Sequence, residues 1–338
     1  MLARLQRRIY AALLLASLAW LAFWWRDARW LGWLGFVWCW AGFAGVLALE
    51  FVAARAVAPL AGSAVPAPAP PGWGPLLRAW AQEVAHAVRV FGWRQPFASA
   101  REPDVIAALD AQRVGVVLVH GYFCNRGFWA PWIARLRAQG HGVIVPNLEP
   151  VFASIDDYAP IIDEAVQRAT QLTGRAPVLV CHSMGGLAAR AWLRAGSNDA
   201  PGAVPRIERV AHIVTLGSPH RGTWLARLSS TPNGRQMQLD SAWLQALAAQ
   251  SDPSWHARFT CWWSDCDNTL QRVGLCKQPC NSTMWSLLCI AKWWQPVSCL
   301  ATWTTCLTVW HGIPSGNNNC AEKCAWLFVC FDFRCWHL

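Results

Sequence analysis

The chain has 338 residues, room for one or two domains. Hydrophobic residues make up 54% and charged residues 14%, which is apolar for a soluble protein and directs attention first to a membrane segment. The formal charge of +10 comes almost entirely from scattered arginines, with no basic block interleaved with aromatics. That pattern argues against a nucleic-acid partner and for anionic lipid headgroups.

Ile9 to Trp25 is an uncharged run of 17 residues, preceded by Arg4, Arg7 and Arg8. A second uncharged run of 20 residues covers Trp30 to Leu49 and ends at Glu50. Both approach the length that spans a bilayer core. Arg26, Asp27 and Arg29 separate them, and Trp24, Trp25, Trp30 and Trp33 cluster at the turn, where indole rings favour the membrane–water interface. Residues 1–55 are therefore expected to form a transmembrane helical hairpin with both ends on one side. The three early arginines pull that side toward the cytoplasm, so a bacterial inner-membrane location with a cytoplasmic catalytic domain is expected. A cleaved signal peptide fits poorly, because Phe-Trp-Trp-Arg follows the run in place of a small-residue cleavage site. Residues 56–75 are rich in Ala and Pro, including Pro66, Pro68, Pro70 and Pro71. Such a segment is extended and semi-rigid, a linker between anchor and domain.

From residue 76 the pattern becomes globular. Leu76 to Phe91 reads as an amphipathic helix. Val114 to Val119 reads as a strand, Pro131 to Ala138 as a helix, and Gly142 to Val145 as the next strand. A helix capped by Asp156 or Asp157 runs to about Leu172, with Ile161, Ile162, Ala165 and Val166 at helical spacing. Strand 177–180, helix 184–193 and strand 209–216 follow. Strands alternating with helices imply a parallel sheet covered on both faces, with its chemistry at the carboxyl ends of the strands.

One of those ends reads Val-Leu-Val-Cys181-His182-Ser183-Met184-Gly185-Gly186. A serine at a tight strand-to-helix turn is thrust into the open, and the turn needs small neighbours two residues away on either side. Gly185 meets that need. Cys181 stands where a second glycine is usual. The helix that begins beneath the serine favours developing negative charge. His120-Gly121 ends an earlier strand, and Leu216-Gly217-Ser218-Pro219-His220-Arg221-Gly222-Thr223 ends a later one. Together these three segments resemble the α/β-hydrolase superfamily, and within it bacterial lipases and esterases, from about Arg113 to Asn268. The resemblance implies an α/β-hydrolase fold with Ser183 as nucleophile and the backbone amides of Tyr122 and Met184 as the oxyanion hole. It makes the segment after Thr223, to about Gln250, a lid or acyl-binding insert. Along helix 241–249, Trp243, Leu244 and Leu247 share a face that would equally serve core packing. His120, His182, His212 and His220 read as structural.

A triad needs an acid after the nucleophile and then a histidine. Residues 258–263 read as a strand, and Asp267 beyond it matches the family's acid best, with Asp265 as the alternative. Past Asn268 the motifs stop, and of the tail's two histidines His311 is the candidate base. Residue usage changes here as well. All three lysines, Lys277, Lys292 and Lys323, lie after Asn268, together with nine of the 14 cysteines and seven of the 25 tryptophans. Residues 269–338 thus form an atypical Cys/Trp-rich tail, and the switch points to a change of reading frame in the gene or its assembly. Zinc at Cys276, Cys280, Cys320 and Cys324, or disulfides, are alternative uses of the tail.

The expectation is a membrane-anchored serine hydrolase acting on carboxylic esters, lipid-like in view of the anchor, with no metal or organic cofactor. Two other readings stay open. One is a scaffold or binding protein with a disabled hydrolase domain. The other is an acyltransferase that keeps Ser183.

Overall fold

The computed structural model describes residues 1–57, 72–106 and 113–262, all within one compact unit, Met1–Cys276. Most of the linker (residues 58–71) and the whole tail, with Asp265, Asp267 and His311, lie outside the described residues.

Residues 113–262 are built on five short parallel strands. They are β1 (Val116–Val119), β2 (Val143–Ile144), β3 (Val178–His182), β4 (His212–Leu216) and β5 (Phe259–Trp262), in the order β2-β1-β3-β4-β5. β1 is buried at all four residues, and its Val117, Leu118 and Val119 are inaccessible. Continuous apolar strands of this kind can exist only between two covered faces. α5 (Ala130–Ala138) connects β1 to β2, α6 (Ala159–Thr173) connects β2 to β3, and α7 (Met184–Ala195) connects β3 to β4. The path steps from β1 outward to β2 and then back across to β3. With right-handed crossovers, that reversal sends α5 to one face and α6 and α7 to the other. β1 and β3 are adjacent, yet their chains leave in opposite directions, so a crevice opens between their carboxyl ends. His120-Gly121 and Ser183 sit at those two ends.

α6 begins one turn later than its sequence suggests, and neither Asp156 nor Asp157 is its cap. Ser154 caps a 3-10 turn, Ile155–Tyr158, in a reciprocal capping box with Asp157. Asp156 is instead paired with Arg194 of α7 and accepts the Trp243 indole N–H at 2.8 Å. A serine three residues before an acid is the usual box, and its signal was masked by the two adjacent aspartates. Helix 241–249 is observed as α9, after a short α8 (Pro232–Gln236). Leu244 and Leu247 are buried in the main core cluster, so that face of α9 serves core packing.

The amino-terminal part contains α1 (Leu2–Phe23), α2 (Arg29–Val57) and α3 (Trp73–Arg89), the last followed by a π-helical turn, Val90–Arg94, and the short α4 (Gln95–Phe97). α1 and α2 lie side by side. Trp20 Nε1 donates to Leu31 O (3.0 Å), Trp40 Nε1 approaches Ser17 Oγ (3.3 Å), and Tyr10 stacks on Trp40. Two spanning helices were expected from the sequence. Among the described helices, one is long and apolar enough to cross a membrane: α2, over Arg29–Ala53, with mean hydropathy 1.8 and 11% of it buried. α1 falls short because it starts at Leu2 and so takes Arg4, Arg7 and Arg8 into the helix. Its first turns also pack on α4 and the π-helical turn before it: Leu2 and Gln6 are buried, Gln6 Nε2 donates to Gln95 Oε1 at 2.9 Å, and the Tyr10 hydroxyl donates to Phe91 O at 2.9 Å.

Candidate functional site

Ser183 is the hinge between β3 and α7. Its φ of 51° and ψ of −124° lie in a region that L residues rarely occupy, a strain of order 1–3 kcal/mol that the surroundings must hold in place. They do so from β4 and from the first turn of α7. The Ser183 amide donates to Leu216 O at the end of β4 (2.9 Å), and Gly186 N donates back to Ser183 O (3.1 Å). Cys181, where a glycine was expected, is wholly buried within β3, in register with Val119 and Thr215. Its compact side chain enters the core, and burial pushes its thiol well above the ordinary range.

Gly185 is required by close approach. A Cβ there would stand 2.8 Å from both the Val119 and His120 carbonyl oxygens. The first turn of α7 is thereby pressed against the end of β1. Gly185→Ala should cost about 2 kcal/mol of stability, the scale of overpacking against a backbone that cannot retreat. Denaturant unfolding of the two proteins measures it. Gly186 faces Ser218 in the same way, so the Gly217–Thr223 segment fits directly beneath α7. That segment is a clasp. Gly217 N donates to Trp262 O of β5 (2.8 Å), His220 Nε2 meets Thr215 Oγ1 (3.1 Å), and His220 O accepts from Arg190 (3.2 Å).

The loop after β1 reaches the serine. A Cβ on Gly121 would lie 2.9 Å from Ser183 Cβ, so the backbone leading into Tyr122 runs beside Ser183. Met184, the first residue of α7, is buried below it. Tyr122 and Phe123 meet Phe152 with ring centroids 5.9 and 6.0 Å away, and the Tyr122 hydroxyl lies 3.4 Å from Thr231 Oγ1. The three rings form an aromatic cluster on the segment that follows Gly121.

His120 shapes this loop. Its Nε2 accepts the Leu148 amide (3.1 Å), so the proton sits on Nδ1, 3.0 Å from Gly121 O. Complete burial holds its pKa down to about 4, and a neutral ring of fixed tautomer has no lone pair for a serine. His182 turns the other way: its ring stacks on Phe128 at 4.4 Å, and burial together with His120 lowers it to about 4. His212 meets Thr260 Oγ1 at 2.8 Å. Among the described residues no histidine is hydrogen-bonded to Ser183 Oγ. Asp267, Asp265 and His311 lie outside them, so the structure brings together Ser183, Tyr122 and Met184 from the expected set and leaves the acid and base unplaced.

The sequence reading missed the scaffold of the loop. Asn125 caps the 3-10 turn Arg126–Trp129 by accepting Gly127 N (2.9 Å), and its Nδ2 donates to Gln95 O (3.1 Å). Gln95 in turn holds Gln6 of α1. Three buried amides thus connect the first helix to the loop beside Ser183. The sequence cue was faint: isolated Gln and Asn residues among apolar neighbours.

A family model described as the alpha/beta hydrolase family matches residues 116–316. The chain belongs to that family. The match covers β1 through β5 of the hydrolase domain and continues past Asn268, where the recognisable motifs end, so that Asp267 and His311 both fall within it. No curated protein matches the chain. Among solved structures, Bacillus licheniformis lipase BlEst2 in mature form aligns at 20% identity and a TM-score of 0.36, over 42% of this chain and 61% of its own. Aspergillus fumigatus lipase B aligns at 16% and 0.44, over 51% and 42%. Phospholipase PlaB from Legionella pneumophila aligns at 18% and 0.32, over 40% and 35%. The chain spans less than two thirds of the length of each.

Proposed function

We propose that this protein is a membrane-anchored serine hydrolase that cleaves carboxylic esters, lipid-like ones foremost. The observation that carries the reading is the strained turn at Ser183 beside Gly121, at the crevice where the strand order reverses. In this reading Ser183 Oγ passes its proton to a histidine and attacks the acyl carbonyl. The amides of Tyr122 and Met184 hold the oxyanion, the alcohol leaves with the proton, and water then releases the acid from the acyl-enzyme. Asp267 orients the base, and His311 is the candidate for it. No cofactor enters this chemistry.

The anchor in this reading is α2 paired with residues 9–23 of α1. The Gln6–Gln95 and Tyr10–Phe91 contacts support a hydrolase domain on the same side as the start of α1, which its three arginines assign to the cytoplasm. A second reading, a hydrolase-fold scaffold without activity, is favoured by one observation: among the described residues no base reaches Ser183. Fluorophosphonate labelling of the purified full chain decides between them. An adduct on Ser183 is the expected result, and a folded protein that takes up no label establishes the scaffold instead.

A further inference from the structure

α3 is amphipathic, but its core-facing contacts take up only part of its apolar arc. Leu76 and Trp80 turn inward, with Trp80 Nε1 donating to Ala44 O of α2 at 2.8 Å. Leu77, Ala81, Ala85 and Val88 form a neighbouring stripe at helical spacing that stays exposed, and Trp73 at the start of the helix is exposed as well. Leu77 is 64% exposed and Val88 54%. The ridge continues beyond the helix, where Trp93 (60% exposed) packs against Phe97 (53%) with ring centroids 5.7 Å apart. Arg78 and Arg89, both exposed, border the stripe on its polar side. Large rings left in water cost free energy unless something covers them.

We infer that this ridge, from Trp73 through Phe97, lies in the headgroup–acyl boundary of the same bilayer that α2 crosses. The inference rests on the anchored reading above. Three observations converge on lipid as the occupant. First, the ridge is continuous with α2, since α3 packs along it from Arg55, whose guanidinium lies over the Trp73 ring, to Ala44. Second, an apolar stripe bordered by arginines suits an interfacial helix, whose basic groups reach lipid phosphates while its apolar face sinks a few ångströms below them. Third, Phe91, within the ridge, is hydrogen-bonded to Tyr10, which opens the uncharged run of α1.

The placement has a consequence for substrate supply. Arg94 O packs against Gly127, where a Cβ would meet it at 2.7 Å, and Gln95 holds Asn125. The next residue, Phe128, stacks on His182, the neighbour of Ser183. The ridge and the nucleophile are thus two sides of one small loop, and an ester drawn from the leaflet has a short path to the serine.

The experiment puts a photoreactive benzophenone amino acid in place of Trp93, Phe97, Val46 or Val204, one at a time, in the full chain. The chain is reconstituted in phosphatidylethanolamine–phosphatidylglycerol vesicles, irradiated and analysed by mass spectrometry. Val46 is exposed on α2, and Val204 is exposed on the loop entering β4, at the opposite end of the sheet from the crevice. Lipid adducts at 93 and 97 several-fold above those at 204 are the expected result. Adducts at 46 with none at 93 or 97 overturn the inference and leave the anchor standing. Adducts at 93 and 97 with none at 46 overturn the anchored reading, and with it the placement of the ridge beside a spanning α2. Crosslinks from 93 or 97 to protein, whether a second copy or another chain, overturn it.

Discussion

Replacing Ser183 by alanine should lower ester hydrolysis by about 10⁶-fold, the scale reached when a triad nucleophile is removed. A residue of order 10³-fold over water should survive from the oxyanion amides and substrate binding. The loss should fall on kcat, because the serine forms a bond only as the reaction proceeds. The fluorophosphonate adduct should vanish with it, while the circular dichroism spectrum stays unchanged. The turn allows a sharper test. Ser183 holds φ at 51°, and alanine inherits the same strain, whereas glycine does not. Ser183→Gly should therefore be as inactive as Ser183→Ala yet more stable by about 1 kcal/mol. Both values come from the same two proteins. Turnover persisting in either variant would take the nucleophile elsewhere. Equal stability of the two would mean the turn stores no strain.

The strand–serine–helix arrangement was legible because it is local. Apolar Val178–Val180, the serine and an Ala-rich run lie side by side in the chain, and a parallel sheet follows from strands that alternate with helices. The loop after His120 could also be anticipated, since it too ends a strand. What the sequence did not disclose depends on long separations. Gln6, Gln95 and Asn125 meet across some 120 positions, and nothing periodic marks them. Nor could hydropathy alone show that the start of α1 is claimed by the hydrolase domain, because its arginines and Gln6 look merely polar until α4 is placed against them. Cys181 illustrates the opposite case: a departure from the expected glycine that the packing absorbs without adjustment, since the side chain drops into the core between β1 and β4.

The proposed acid, Asp267, stands just before the segment where residue usage changes, and the candidate base, His311, lies within it. Two expectations compete there. If residues 269–338 are the true ending, His311 is the base, and His311→Ala should abolish turnover while leaving the Ser183 turn intact. If the reading frame shifts near codon 268, another frame downstream encodes a glycine-rich turn followed by histidine, and the natural chain carries that base. The nucleotide sequence separates the two, and a frame with no such ending dismisses the second.

Acid should unfold this protein early, and the sign of the effect follows from two buried rings. His120 and His220 are 1% and 6% exposed. Burial holds His120 down to about 4, and burial with the Arg190 cation holds His220 down to about 3. In the unfolded chain both titrate near 6.5. Above that value neither state binds the proton and the two rings contribute nothing to the pH dependence. Below it the unfolded chain takes up protons that the folded protein refuses, so stability falls as pH falls. Each ring costs about 1.4 kcal/mol per pH unit, down to about 4 for His120 and about 3 for His220. At pH 4.5 the pair should together have removed about 5 kcal/mol, a large share of the stability of a typical domain. Urea unfolding at pH 7 and pH 4.5 reads this directly. His120→Gln keeps an acceptor for Leu148 and a donor for Gly121 but has no proton to gain. Its stability should decline with acid more gently than the parent's, by about 1.4 kcal/mol per unit between 6.5 and 4. Parallel declines in the two proteins would mean that His120 titrates alike in the folded and unfolded states, and that its ring is not sealed beneath the nucleophile loop.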